Sequence, residues 1–281
     1  MANYTYKHVV LLGVDGAGVF FRDTDTPNID KIIEKGALSY DVLTSEPTIS
    51  AECWGSMLIG VKPEVHGLTN DIVSSKVYDV NSKYPTVFRV ISENLPEATL
   101  ASFSNWSPIN SGIVESNLNV YKDSSWDGEL TERICAYLKE KGAPTFLFIQ
   151  FDDVDGAGHC HGYRSEKYLQ QITLEDEYIG KIMETYKELS ALEDTLFIVT
   201  ADHGGFGVHH GGSHVDEKFV MFAACGKTVK HGQIGEMEIR DTPAIILHAL
   251  GLDDKKPKSW TSRIPENFYE GIGASERPLG E

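Results

Sequence analysis

The chain has 281 residues, 41% hydrophobic and 10% aromatic, enough for one large α/β domain with a sizeable core. Its formal net charge of −17 excludes sequence-general binding to nucleic acid, whose electrostatic footprint is basic. Four widely spaced cysteines (Cys53, Cys135, Cys160 and Cys225) form no CxxC pair, so neither a disulfide framework nor a structural zinc knuckle is expected.

From the N-terminus, His8 to Val14 is a continuous apolar run, the mark of a strand buried on both faces of a parallel sheet. It is too short for a signal peptide or a membrane span, which predicts a cytoplasmic protein with no membrane partner. It ends at Asp15-Gly16, which reads either as an Asp-Gly turn or as a carboxylate at a strand tip, where open α/β sheets place ligands. Thr26-Pro27-Asn28 starts a helix closed by Gly36, and Leu38 to Leu43 alternates as a strand.

Pro47-Thr48-Ile49-Ser50 then leads into a predicted helix over Ala51 to Ile59, followed by Lys62-Pro63-Glu64-Val65-His66-Gly67. A hydroxyl at the first turn of a helix faces unpaired N–H groups and the positive end of the dipole. Thr48 or Ser50 therefore reads as a helix cap or as a nucleophile that binds phosphate.

A helix near Thr86 to Glu93 and a strand at Thr99 to Phe103 precede residues 104–126, which are rich in Ser, Asn and Trp and read as a substrate-side loop insertion. Glu129 to Lys141 is helical, and Thr145 to Phe151 is a second core strand ending in Asp152-Asp153-Val154-Asp155. Ser165 to Leu189 is a long amphipathic helix. Thr195 to Thr200 is a third core strand, ending at Asp202-His203, and Phe219 to Ala224 is a fourth. Asp241-Thr242-Pro243 opens a helix through Leu250, and residues 253–281 read as a polar surface tail. Strands alternating with helices and no internal linker predict a single α/β domain over 1–281, a doubly wound, mostly parallel sheet with helices on both faces.

Three core strands end in acid or acid–histidine groups: Asp15, Asp155 with His159, and Asp202 with His203. His209-His210-Gly211 follows in a loop. Strand tips of a parallel sheet share one edge, so these groups can meet. Mixed carboxylate and imidazole donors suit zinc, manganese or iron better than calcium. Six donors are enough for two divalent ions in phosphoryl transfer, about 3.5–4 Å apart.

These motifs resemble the alkaline phosphatase superfamily, and most closely its type I phosphodiesterase/nucleotide pyrophosphatase branch. The nucleophile loop P-T-x-[TS] matches Pro47-Thr48-Ile49-Ser50, and T-G-x-x-P-x-x-H-G matches Ile59 to Gly67 except at its first position. The later D-x-x-G-H and D-H-G match Asp155 to His159 and Asp202 to Gly204; H-G matches His210-Gly211.

The resemblance implies an alkaline-phosphatase-like fold and Ser50 as nucleophile through a phosphoseryl intermediate. One metal, zinc before manganese or iron, would be held by Asp155, His159 and His210, and a second by Asp15, Asp202 and His203. It places Cys53 where the branch carries a phosphate-contacting Asn, with Asn70 as the amide expected to compensate. His161, His209 and His214 are surplus to the six ligands.

The expected partner is a small phosphorylated substrate, and a homo-oligomer is compatible with this reading. A phosphomonoesterase or phosphonate hydrolase on the same scaffold is the alternative, and an inactive metal-binding protein the remoter one. The sulfatase signature C/S-x-P-S-R is missing from Ser50 to Trp54.

Overall fold

The computed structural model describes residues 5–278. Among them, strands β1 (His8–Val14), β2 (Ala37–Leu43), β3 (Leu100–Ser104), β4 (Val120–Asp123), β5 (Phe146–Phe151), β6 (Thr195–Thr200), β7 (Phe219–Cys225) and β8 (Gly232–Gln233) form one sheet. The eight strands lie in the order β4-β3-β5-β1-β6-β7-β2-β8. All adjacent pairs are parallel except those that β7 makes with β6 and β2. The central strands β1, β5 and β6 are buried along almost their whole length, as their apolar runs require.

Strand alternation shows which helices cover which face. Phe146 and Phe148 point to one face, where their rings meet Phe88 at 4.8 Å and Trp54 at 5.7 Å. Phe151, an odd number of positions on, points to the other face and meets Tyr178 at 6.0 Å. The Ser50–Ile59 and Val87–Asn94 helices thus lie on one side and the Glu166–Glu188 helix on the other. The expected doubly wound, mostly parallel sheet is observed.

Two expectations are corrected. Residues 104–126 are not all loop: they hold a Pro108–Gly112 helical turn and β4, which pairs in parallel with β3 from Leu100↔Val120 to Phe103↔Asp123. An edge strand of four half-exposed residues has too little apolar alternation to be read locally. Residues 253–281 are not simply a surface tail. Trp260, Ser262 and Phe268 are fully buried, and Arg277 forms a double hydrogen bond to buried Asp241 at 2.9 Å; residues 279–281 lie outside the described residues.

The helix expected from Thr26-Pro27-Asn28 is observed over Pro27–Glu34, with Thr26 at the cap position. Its side chain makes no capping bond, and the Asp176 carboxylate accepts from the Asn28 and Ile29 backbone N–H groups instead. A cap supplied from a distant part of the chain serves the same orphan donors.

Candidate active site

β5, β1 and β6 are neighbours and parallel, so the residues that follow them emerge on one edge of the sheet. Asp15 follows β1, and Asp202 and His203 follow β6. After β5 the chain turns at once into the Asp153–His161 helix. Four residues apart on that helix, Asp155 and His159 share a face, and their Oδ2 and Nε2 atoms lie 3.1 Å apart. The left-handed turn at Gly16 (φ +69°) brings the chain so close to Asp155 that a Cβ there would sit 2.4 Å from Oδ1.

Donor atoms of Asp15, Asp202 and His203 lie within 4.8 Å of one another, as do those of Asp155, His203 and His210. His203 is common to both groups, and its ring stacks on His210 at 3.9 Å. His159 joins through Asp155 and sits 5.0 Å, ring to ring, from His210.

Each of the three imidazoles places Nδ1 on a backbone carbonyl: His159 on Val208 at 2.8 Å, His203 on Gly204 at 2.9 Å and His210 on Thr48 at 2.7 Å. Those contacts place a proton on Nδ1; in His203 and His210, which burial biases toward the neutral ring, Nε2 is left as a bare lone pair aimed inward, whereas His159 Nε2 donates to Asp155 Oδ2.

The carboxylates are divided in the same way. Asp15 Oδ2 accepts from Trp54 Nε1 at 2.8 Å and Gln150 Nε2 at 3.0 Å; Asp202 Oδ1 accepts from the N–H of His203 at 2.8 Å and Gly16 at 3.1 Å. The opposite atoms, Asp15 Oδ1 and Asp202 Oδ2, are buried without a hydrogen-bond partner.

Burial and the neighbouring acids push Asp15 well up, and burial raises Asp202 to about 8 and Asp152 to about 7. Burial would also raise Asp155, yet the His159 bond and the nearby His203 and His210 bring it down to about 2. His159, bonded to Asp155, rises to about 9, while burial lowers His203 and His210. Two orphaned carboxylate oxygens among inward-facing imidazole lone pairs are what a cation would complete, so the donor set fits divalent metals.

Ser50 lies at this centre, 9% exposed, with Oγ 3.3 Å from His203 Nε2. It is the first residue of the Ser50–Ile59 helix; Ile49 is the cap and no side chain caps the turn. The capping reading is therefore not met by either hydroxyl. Thr48 is fully buried and bonded elsewhere, its Oγ1 accepting from Gly211 N–H at 2.8 Å and donating to Glu217 Oε2 at 3.0 Å. This ties the loop that leads into Ser50 to the His210 loop, a role that the sequence does not reveal for either Thr48 or Glu217.

The helix ends in a left-handed turn at Gly60 (φ +73°), and the 63–67 segment folds back onto it. There His66 Nε2 donates to Glu52 O at 3.2 Å and Nδ1 accepts from Leu68 N–H at 3.0 Å. Asn70 Oδ1 accepts from Ala51 N–H at 3.0 Å, leaving its exposed amide nitrogen without a protein partner among the described residues.

Cys53 is fully buried, its thiol held among Thr44, Ser45 and Pro47 and turned away from solvent. Its helix packs that face against the 44–47 loop. His161, His209 and His214 are exposed, and His214 stacks on Phe206 at 3.9 Å. Gln150 also donates to Asp152 Oδ1 at 2.8 Å, and the Tyr163 hydroxyl donates to Asp155 Oδ1 at 2.5 Å. Nothing local in the sequence marks either residue as part of the site.

Residues 9–243 match the model of the type I phosphodiesterase / nucleotide pyrophosphatase family. The chain belongs to this family. It is 24% identical over 218 residues to ectonucleotide pyrophosphatase/phosphodiesterase family member 3 of Rattus norvegicus, spanning 70% of this chain and 24% of that protein. It is 24% identical over 213 residues to the bis(5'-adenosyl)-triphosphatase ENPP4 of Homo sapiens, spanning 70% of this chain and 47% of that one. The alignments thus take in less than half of either relative.

An inactive variant of murine ectonucleotide pyrophosphatase/phosphodiesterase 5 in complex with AMP matches with a TM-score of 0.72 at 14% identity, covering 88% of this chain and 95% of that chain. A 2-O GAG sulfatase matches at 0.69 and 13% identity, covering 95% and 79%. These two likenesses show an alkaline-phosphatase-like fold. Among the described residues no helix is long and apolar enough to cross a membrane.

Proposed function

We propose that the chain is one catalytic domain that hydrolyses phosphodiesters or nucleotide pyrophosphates on a small organic substrate, with Ser50 as nucleophile and two divalent metals. The observation that carries this reading is Ser50 Oγ at 3.3 Å from the bare Nε2 of His203, inside a buried set of carboxylates and imidazoles. Asp155, His159 and His210 would hold one metal, and Asp15, Asp202 and His203 the other, zinc first and manganese or iron next. When bound, the ions supply positive charge that favours the serine alkoxide and offsets the negative charge on phosphate.

The protein's own groups do the rest. Ser50 Oγ attacks phosphorus in line, forming the Oγ–P bond of a phosphoseryl intermediate as the bond to the departing group breaks, and hydrolysis then frees the enzyme. The carbonyl-bound Nδ1 atoms hold each ring in one tautomer and orientation. Trp54 and Gln150 fix Asp15, and Asn70 offers its free amide to a phosphate oxygen beside the nucleophile.

Arginine placement supports a diester over a monoester, whose free oxygens call for a guanidinium grip. No arginine lies between Arg22 and Arg89. Arg22 stacks on Tyr40, and Arg89 is committed to the carbonyls of Val80 and Ser82. The names of the relatives, one a bis(5'-adenosyl)-triphosphatase and one solved with AMP, put nucleotide substrates first in line. Four cysteines without disulfides support a cytoplasmic location, which cell fractionation would test.

The deciding assay compares bis-nitrophenyl phosphate, nitrophenyl phosphate, a dinucleoside polyphosphate and a phosphonate, each with zinc and with manganese. Diester or pyrophosphate turnover well above monoester turnover is expected. A large monoester preference would overturn the assignment.

A further inference from the structure

A second group of acids lies behind the catalytic edge and takes no part in the chemistry above. Asp127 opens the Asp127–Lys141 helix, Asp153 opens the helix that carries Asp155 and His159, and Glu175 sits midway along the Glu166–Glu188 helix. A carboxylate oxygen from each lies within 4.8 Å of the others. Asp127 and Glu175 are fully buried.

Part of this charge is met by hydrogen bonds. Asp127 Oδ2 accepts from the N–H groups of Asp152 at 2.9 Å and Asp153 at 2.7 Å, and the Asn105 amide donates to Asp127 Oδ1 at 2.9 Å and Asp153 Oδ1 at 3.0 Å. Gln171 donates to Glu175 Oε1 at 2.8 Å, but Glu175 Oε2 is buried with no partner. No lysine or arginine pairs with the group among the described residues; Lys181, whose ammonium stands over the Tyr178 ring, is bonded to Glu132 at 3.0 Å. Two buried carboxylates beside a partly exposed third, without a counter-charge, are costly unless they are protonated or bind a cation.

We infer that Asp127, Asp153 and Glu175 form a structural site for a hard divalent cation, calcium in the first instance, separate from the catalytic metals. Donors are all oxygen, the preference of calcium rather than zinc. Ligands on opposite sides of a calcium ion lie roughly 4.6–5.2 Å apart, twice a bond of about 2.3–2.6 Å, so the observed spread is the right size. Such an ion joins three helices and anchors the first residue of the one that carries Asp155 and His159. Its loss would loosen both of those side chains without touching Ser50.

The test uses the full chain loaded with zinc and titrated with calcium, read by metal analysis and thermal melting. The wild type should take up one further calcium per chain, with a melting midpoint that rises and saturates. Glu175→Gln keeps the Gln171 bond but removes a charged ligand, and should weaken calcium binding at least about tenfold and abolish the shift. Ser50→Ala should lose activity yet bind calcium normally, which separates this site from the catalytic reading.

Terbium, a luminescent calcium substitute, provides a readout on the wild type alone: its emission should appear at one site per chain and be displaced by calcium. No calcium or terbium uptake beyond the zinc-loaded centre, or uptake unchanged in Glu175→Gln, would overturn the proposal and leave a protonated carboxyl pair.

Discussion

Ser50 Oγ and His203 Nε2 lie 3.3 Å apart although the residues are 153 positions apart in the chain. His203 Nδ1 is committed to the Gly204 carbonyl, so the hydroxyl faces a lone pair and not an N–H. This placement at a helix start supports the proposed role of Ser50 as nucleophile. Ser50→Ala should therefore reduce diester turnover by at least about a thousandfold, the scale seen when a nucleophile is removed. Metal content and the circular dichroism spectrum should not change. Turnover within a few fold of wild type would remove Ser50 from the mechanism.

Thr48 is expected to act through the His210 loop. Thr48→Val keeps the shape but removes the bonds to Gly211 N–H and Glu217. With His210 less firmly placed, the metal concentration giving half-maximal activity should rise by about 10–100-fold, the usual cost of losing a group that orients a ligand. Activity at saturating metal should recover most of its value. A metal-activation curve that coincides with wild type would show the loop contact to be dispensable.

His66 makes stability depend on pH. Burial pushes its pKa down to about 4 from the ordinary 6.5, against the opposing pull of the Glu52 carbonyl. Protonation at Nδ1 would also break the bond from Leu68 N–H. The unfolded chain takes up this proton first on acidification. The stabilisation is thus complete above pH 6.5 and lost as pH falls toward 4, on the order of 3 kcal/mol across that window. Denaturant melts of His66→Gln should show lower stability than wild type at pH 7.5 and a shallower decline between pH 6.5 and 4. An equal decline in both proteins would assign the acid sensitivity elsewhere.

Arg277 should matter more than its place near the C-terminus suggests. It grips fully buried Asp241 with both terminal nitrogens, while burial raises the Asp241 pKa against that pull. Arg277→Ala leaves a buried carboxylate with only the Glu238 and Arg263 backbone donors, at a cost of roughly 3–5 kcal/mol. Chemical denaturation measures this directly. A loss below about 0.5 kcal/mol, the range of an ordinary surface substitution, would mean that the segment is held by Trp260 and Phe268 alone.

Removal of metal should abolish turnover while leaving the sheet intact, because the core strands are packed by apolar side chains and the orphaned oxygens of Asp15 and Asp202 lie at the sheet edge. Chelation followed by zinc or manganese should restore activity, and full activity in excess chelator would exclude metal chemistry. Chelated protein should also be more stable at mildly acidic pH than at alkaline pH with respect to Asp202. Its pKa, raised to about 8, favours the folded state below the ordinary carboxylate range and withdraws that advantage as pH rises through 8.

The frame and most of the candidate centre are legible in the amino-acid order alone. Buried parallel strands must be apolar end to end, so β1, β5 and β6 announce themselves, and the acids that follow each one can be read directly. What those acids and histidines can do depends on the folded arrangement. The carbonyls that set each imidazole, the Thr48–Glu217 link, the Gln150 amide on Asp15 and the Asp176 cap on Asn28 join residues distant in sequence, except for the adjacent Gly204 carbonyl on His203. The sheet-edge strand β4 and the buried Trp260 and Phe268 likewise take their positions from partners elsewhere. Hydrophobic periodicity reports which face of an element is covered, but a hydrogen bond across the fold leaves no period in the chain, so only the folded arrangement shows it.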